Sequence, residues 1–136
     1  MAVKIIPFLV AMLVAVGVFR ASGSFNAITD TISKGAEMAQ VDDGWVEAVP
    51  VALMKPLSGS GARGLAAEAM ETHGEDSFTA RLACTFQGST ETTFYVLAVY
   101  FGAVGIRRTR YALLAGLAAD FAGIVAAIFV AYAFFG

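Results

Sequence analysis

Two polar, glycine-rich interruptions divide this otherwise apolar chain, at residues 58–64 (SGSGARG) and 87–92 (QGSTET). Each is followed by a segment rich in helix-forming residues. A hydrophobic run that stops, turns polar and starts again is typical of the broken helices of membrane transporters. Peptide groups released from a helix at membrane depth must be satisfied by protein or by a water-filled cavity. The two interruptions are therefore the first places to look for a binding site.

The composition favours a membrane protein. Of the 136 residues, 58% are hydrophobic and 15% are charged, whereas a soluble domain carries about 25% charged residues. The net charge of -2 offers no basic surface to a nucleic acid. The single histidine excludes a histidine-cluster metal site, and the single cysteine, Cys84, is expected to be a buried, inert thiol. No catalytic constellation is present, so we expect neither an enzyme nor a bound cofactor or metal.

The apolar segments predict an all-α integral membrane protein with a single domain over residues 1–136. In order, its parts are a transmembrane helix (1–21), an interfacial amphipathic helix and turn (22–44), a re-entrant helical hairpin (45–74), a broken transmembrane helix (76–106) and a final transmembrane helix (109–135). The amphipathic segment fits equally well an ordinary connecting helix packed on the rest of the protein. Arginines at 107, 108 and 110 should face the cytoplasm, which places the C-terminus outside.

The first interruption offers polar groups on a sharply turning backbone; its candidate site residues are Ser58, Gly59, Ser60, Gly61 and Arg63. Residues 59–64 match GxGxxG, but this pattern indicates dinucleotide binding only inside a βαβ unit, and the flanks are alanine-rich and helical. Glycines free the backbone N–H groups, and the following helix N-terminus suits an anion or a carbonyl-type oxygen. The alternative is a tight hairpin turn that binds no ligand.

The second interruption combines amide, hydroxyl and carboxylate groups, the mixture that a small polar ligand needs. Its candidate site residues are Gln87, Ser89, Thr90, Glu91 and Thr92. Ser89 or Thr90 is expected to cap the second helical arm, with Glu91 in the first turn of that arm. The alternative is that Glu91 lies near water and only stabilises the start of the helix.

Asp120 is the single charge in the last apolar segment, about 16 Å along it from Thr109. It borders a stripe of small residues made by Ala112, Gly116, Ala119 and Gly123. Because small residues mark the face where helices approach closely, Asp120 should point into the bundle. Its expected partners are Arg81, Gln87 or the hydroxyls of the second interruption. A structural contact and a role in binding a coupling ion or proton both remain open.

Three strings carry a resemblance to a known family: residues 55–64 (KPLSGSGARG), residues 87–110 (QGSTETTFYVLAVYFGAVGIRRTR) and the opening stretch 5–23. Together they make essentially the whole chain resemble the spore maturation protein B family. That family belongs with the gate, or nucleoside-recognition, domains. Such domains also occur in concentrative nucleoside transporters and in the membrane part of ferrous iron transport protein B.

The resemblance implies a multi-pass protein of the bacterial plasma (inner) membrane. It implies a sister subunit resembling spore maturation protein A, or a self-paired inverted dimer, as the other half of an inverted-repeat assembly. In sporulating bacteria the family is tied to dehydration of the spore core. Members normally carry a further membrane segment ahead of the stretch that begins here at Ala2, so a shortened chain is expected. The resemblance names no transported solute.

These observations predict a permease- or channel-like component of a transporter-like assembly, which moves a small solute or ion. The two interruptions would face each other near the bilayer midplane. Positive half-helix ends would hold an anionic or polar group, while Glu91 and Asp120 would bind a cation or proton. The alternative function is that of a structural membrane subunit, whose interruptions lock it to a partner and which transports nothing itself.

Overall fold

The computed structural model of the protein describes residues 2–38 and 44–136, and every regular element in these ranges is helical. In order, the elements are α1 (Ala2–Ala21), α2 (Ser24–Met38), a 3-10 turn (Val46–Ala48), α3 (Val49–Met54), α4 (Gly59–His73), α5 (Phe78–Ser89), α6 (Thr93–Tyr95), a π-helix (Val96–Phe101) and α7 (Ala112–Phe135). The all-α class is thus confirmed. The turn expected at residues 42–44 lies mostly outside the described residues.

Helix α7 is the element that most clearly suits a bilayer. Its 24 residues extend about 36 Å at 1.5 Å per residue, which exceeds a hydrocarbon core of about 30 Å. Within the described residues, it alone is long and apolar enough to cross a membrane by these criteria. Helix α1 is also apolar, but its apolar stretch, Ile5–Phe19, is shorter than these criteria require.

The hydrophobic core lies where α3, α4, α5 and the second half of α7 meet. Phe86, Met54 and Leu82 are its largest fully buried side chains. Most of the remaining core positions are alanines, among them Ala62, Ala83 and Ala131, and small side chains let helix backbones approach closely. The core therefore fixes the end of α5 against α7, where the second interruption begins.

The first interruption is shorter than the sequence suggested. Ser58 is the N-cap of α4, and its Oγ accepts a hydrogen bond from Gly61 N at 3.1 Å. Because this cap starts the helix at Gly59, only residues 55–58 are non-helical, and the predicted loop through Gly64 is wrong. Pro50 lies in the first turn of α3, where proline is tolerated.

The second interruption is also displaced. Helix α5 continues through Ser89, so Gln87 and Ser89 belong to its last turn, and only residues 90–92 are irregular. Thr90 Oγ1 donates to Phe86 O at 2.8 Å. The expected capping of the next arm by Ser89 or Thr90 is wrong, because Thr92 occupies the N-cap position of α6 without a side-chain cap. Glu91 precedes the helix and is not in its first turn.

The next features concern α5 and the turn that leads into it. Helix α4 ends before Gly74, which has a φ of 90°, and α5 is capped by Ser77, whose Oγ accepts a hydrogen bond from Ala80 N at 3.1 Å. The expected burial of Cys84 is wrong, because its thiol is exposed. Ala83 and Phe86 take the core-facing positions of α5 and leave Cys84 on the opposite side.

Candidate functional site

Asp120 is a buried carboxylate in the middle of α7, with 5% of its surface exposed. Its Oδ1 accepts a hydrogen bond from the main-chain N–H of Glu91 at 2.8 Å. Its Oδ2 accepts one from the Thr93 hydroxyl at 2.6 Å. The carboxylate thus binds the irregular backbone between α5 and α6. No side chain of the N-cap residue accepts a hydrogen bond at the start of α6, and Asp120 on the neighbouring helix α7 provides an acceptor there.

Two glycines of the small-residue stripe allow this close approach. A Cβ atom at Gly123 would collide with the main-chain oxygen of Ser89, and one at Gly116 would lie 2.6 Å from Thr93 Cγ2. Each position therefore places α7 directly against the second interruption. The stripe predicted both this packing face and the inward direction of Asp120.

The partners of Asp120 are not those expected from the sequence. Arg81 instead pairs with Asp76 at 2.9 Å and lies over the Phe135 ring. Gln87 accepts hydrogen bonds from a lysine. Thr93, which does contact Asp120, follows directly after the predicted interruption. The second donor is the main-chain N–H of Glu91. Because it is a main-chain group, the type of residue at this position does not indicate its role.

Lys55 joins the two interruptions and was not predicted as a site residue. Its half-buried Nζ donates to Gln87 O at 2.7 Å and to Gln87 Oε1 at 3.0 Å. The main-chain N–H of Phe94 donates to Pro56 O at 3.0 Å. The two interruptions, far apart in sequence, therefore lie side by side in the fold. The remaining polar atom of this group, Gln87 Nε2, is buried and has no hydrogen-bond partner within the described residues.

Three clefts border these segments, and they divide the predicted site residues between them. The first-segment cleft, of about 320 Å³, is lined by Leu13, Ser58, Gly59, Ser60, Arg63 and Thr92, among others. The polar cleft, of about 210 Å³, is lined by Gly88, Ser89, Thr90, Ala119 and Asp120. The apolar cleft, of about 380 Å³, is lined by Val96, Leu97, Phe101 and Ala112. Glu91, Thr93 and Gly116 belong to both the polar and the apolar cleft.

Two predicted residues lie outside these clefts. Gly61 packs against Met54, because a Cβ built on Gly61 would lie 3.2 Å from Met54 Cγ. Gln87 contacts Lys55 and lines none of the three clefts. The polar cleft, by contrast, combines a buried carboxylate, an exposed carboxylate and three hydroxyls. Oxygen groups in this arrangement can coordinate a small cation or hydrogen-bond a polar solute.

A separate polar cluster lies at the opposite end of α4. His73 Nδ1 is 3.3 Å from Glu47 Oε2, which also accepts a hydrogen bond from Thr79 Oγ1 at 3.2 Å. Both His73 and Glu47 are exposed. Over the residues that the structure covers, no group of three histidine, cysteine or acidic side chains is arranged to hold a metal ion.

Replacing Lys55 by methionine should lower the free energy of unfolding by about 1–2 kcal/mol, because Gln87 loses its two hydrogen bonds while the apolar stem is kept. Denaturation in detergent micelles, followed by fluorescence of the single tryptophan, Trp45, measures this change. The matched control is Lys34→Met at an exposed position of α2, with an expected change within about 0.5 kcal/mol. Equal effects of the two substitutions would contradict the role of Lys55 as a tie between the interruptions.

Comparison with known proteins identifies the family. Residues 2–107 match the Gate family, which is described as "Nucleoside recognition". The chain is 47% identical over 135 residues to Spore maturation protein B of Bacillus subtilis (strain 168), which covers 99% of this chain and 74% of that protein. No solved structure matches the chain. Together with the long apolar α7, these similarities indicate a membrane protein related to transport components. The chain belongs to the gate family of nucleoside-recognition domains.

Proposed function

We propose that this protein is a permease- or channel-like component that moves a small polar solute or ion across the bacterial plasma membrane. The observation that carries the proposal is Asp120, a buried carboxylate on the membrane-suited helix α7, bound to the interrupted backbone of the neighbouring segment. An ionisable side chain within a membrane-spanning segment is expensive and marks ion or substrate pathways. Irregular backbone at that depth occurs where protein or water satisfies it.

The proposed membrane arrangement follows the order of the helices. Helices α1 and α7 cross the bilayer, α2 lies at the interface, and α3 and α4 form a re-entrant hairpin around residues 55–58. Helix α5 and the segment from α6 to the π-helix together make one broken crossing. The exposed arginines at 107, 108 and 110 face the cytoplasm, so the end of α7 lies outside. Glu68 and Glu71, exposed on α4, would then face water rather than lipid.

The proposed binding groups come from both interruptions. Oxygens of Asp120 and Glu91 keep unused lone pairs in the polar cleft and suit a cation or a proton. Gln87 Nε2, buried without a partner, is a free donor beside the junction of the two segments. In the first-segment cleft, Arg63 and the serine hydroxyls surround the N-terminal end of α4 and suit an anionic or polar group. The family description makes nucleosides the first class of organic solute to test.

The open clefts support the proposal that a second subunit completes the site. The Glu91 carboxylate in the polar cleft is exposed, and placing a carboxylate against hydrocarbon at membrane depth costs free energy. A sister subunit resembling spore maturation protein A, or a second, inverted copy of this chain, would cover it and supply the other half of an inverted repeat. In a sporulating cell we infer that this assembly acts during spore maturation, as the name of the similar protein indicates.

The second candidate function is a structural membrane subunit without transport. It is favoured by the internal contacts of Asp120, since each of its oxygens already accepts one hydrogen bond from this chain. In that case the interruptions would serve only to hold α5, α6 and α7 together and to present a face to a partner.

Flux into sealed vesicles distinguishes the two functions. The protein, co-expressed with its sister subunit, is reconstituted and assayed with monovalent cations and with radiolabelled nucleosides. Under the transport proposal, Asp120→Asn and Glu91→Gln abolish uptake, or abolish thermal stabilisation by the solute, while the complex still assembles. Asp76→Asn, at an exposed position outside the clefts, leaves uptake unchanged. Loss of assembly in the two variants, with no solute moved by the parent protein, would instead establish the structural role.

A further inference from the structure

Thr93 lines both the polar cleft and the apolar cleft. The two clefts share three residues, and of these Glu91 is exposed while Gly116 has no side chain. Thr93 is 9% exposed, so it is the buried one of the three shared residues. The polar cleft also contains Ser89, Thr90 and Asp120, whereas the rest of the apolar cleft is lined by aliphatic and aromatic carbon.

The position of the Thr93 side chain depends on two contacts. Its hydroxyl donates to Asp120 Oδ2 at 2.6 Å, a charge-assisted hydrogen bond. Its methyl group fills the space left by Gly116, where an added Cβ would lie 2.6 Å away. Threonine on a helix has more than one accessible χ1 rotamer, and the choice is set by what its hydroxyl can bond.

We propose that Thr93 is a movable partition between the two clefts, latched by Asp120. When a cation or a proton occupies the Asp120 carboxylate, the hydroxyl is released and the side chain turns to another rotamer. The polar and apolar clefts then join into one path along α7. This inference rests on the proposed transport function. It assigns a gating role to Thr93, a residue that lies just after the second interruption and was not among the candidate site residues of the sequence.

Cysteine accessibility tests the partition without requiring a transported solute. The lone cysteine is first removed by Cys84→Ser. One reporter, Ala119→Cys, lies in the polar cleft, and a second, Leu97→Cys, lies in the apolar cleft. A hydrophilic, membrane-impermeant methanethiosulfonate reagent is added to sealed vesicles of either orientation. The rate of modification of each reporter is measured with Thr93 intact, with Thr93→Ala, with Thr93→Val and with Thr93→Ser.

The variants distinguish the effect of the size of the Thr93 side chain from the effect of its hydrogen bond to Asp120. We expect Thr93→Ala and Thr93→Val to increase the rate at which the reagent modifies the Leu97→Cys reporter. The reagent is added from the side that reaches the Ala119→Cys reporter. The expected increase is about tenfold or more, which corresponds to the free energy of one hydrogen bond to a charged group. Thr93→Ser keeps the hydroxyl on Asp120 and should stay close to the parent rate. An unchanged Ala119→Cys rate in all variants shows that the fold is retained.

Two outcomes would overturn the inference. If the Leu97→Cys reporter is modified at an unchanged rate in Thr93→Ala, Thr93 does not separate the two clefts. If modification is faster in Thr93→Ala but not in Thr93→Val, the hydrogen bond to Asp120 does not hold the Thr93 side chain in place. Neither result bears on whether solute moves, which the Asp120→Asn flux assay decides separately. Conversely, a partition that opens in a protein without flux would overturn the proposed function alone.

Discussion

Asp120→Ala should lower the free energy of unfolding by about 2–3 kcal/mol, because it removes the acceptor of two hydrogen bonds at once. The Glu91 N–H and the Thr93 hydroxyl would both lose their partner at a site where the carboxylate was 5% exposed. Asp120→Asn keeps one carbonyl oxygen for the Glu91 N–H and should cost about 1 kcal/mol. Denaturation in micelles, followed by Trp45 fluorescence, measures both changes.

Asp76→Ala provides the matched control. Asp76 is also paired, with Arg81 at 2.9 Å, but its side chain is almost fully exposed. A surface ion pair contributes about 0–1 kcal/mol, so this substitution should have a small effect. If Asp120→Ala were no more destabilising than Asp76→Ala, the carboxylate would not be holding the interrupted backbone as the structure shows.

Gly123→Ala should cost about 1–3 kcal/mol and separate α7 from the end of α5. The added methyl group would collide with the main-chain oxygen of Ser89, and main-chain atoms cannot rotate away as a flexible side chain can. The whole of α7 must therefore shift, which also lengthens the hydrogen bonds of Asp120. The same denaturation measurement reports the loss of stability, and amide exchange at Glu91 reports the loosened contact.

Gly64→Ala makes the opposite prediction and serves as the control. Gly64 lies inside α4, with no neighbouring atom within 4 Å of an added Cβ. Alanine there should stabilise the protein by about 0.5–1 kcal/mol through helix propensity. Destabilisation by Gly64→Ala would contradict the helical conformation of this segment, and a neutral Gly123→Ala would contradict the close packing of α7.

Some of the features that depend on one segment alone could be predicted from the sequence. Helix α7 is apparent from an apolar run with a single charge, and the inward direction of Asp120 follows from the glycines one turn before and after it. The extent of the first interruption was overestimated because glycines suggest a loop, whereas the Ser58 cap starts a helix that tolerates Gly59, Gly61 and Gly64. Glycine content alone does not distinguish these cases.

Contacts between distant segments could not be predicted in the same way. Lys55 contacts Gln87 across 32 positions of the chain, and nothing local to either residue indicates this pair. The Glu91 N–H is a main-chain donor, present in almost any residue, so only the fold identifies it as the partner of Asp120. The exposure of Cys84 likewise depends on which face of α5 meets α4 and α7.

The link from Phe94 N to Pro56 O joins the two interrupted segments through main-chain atoms on both sides. Since alanine scanning changes neither atom, a full scan of both segments would leave this joint intact and report nothing at it. Phe94→Pro is the change that deletes the donor, at a position early in a helix where the proline ring is tolerated. This main-chain bond is thus insensitive to most single amino-acid exchanges, unlike the side-chain contact from Lys55 to Gln87, and it is accessible mainly to substitutions that change the backbone itself.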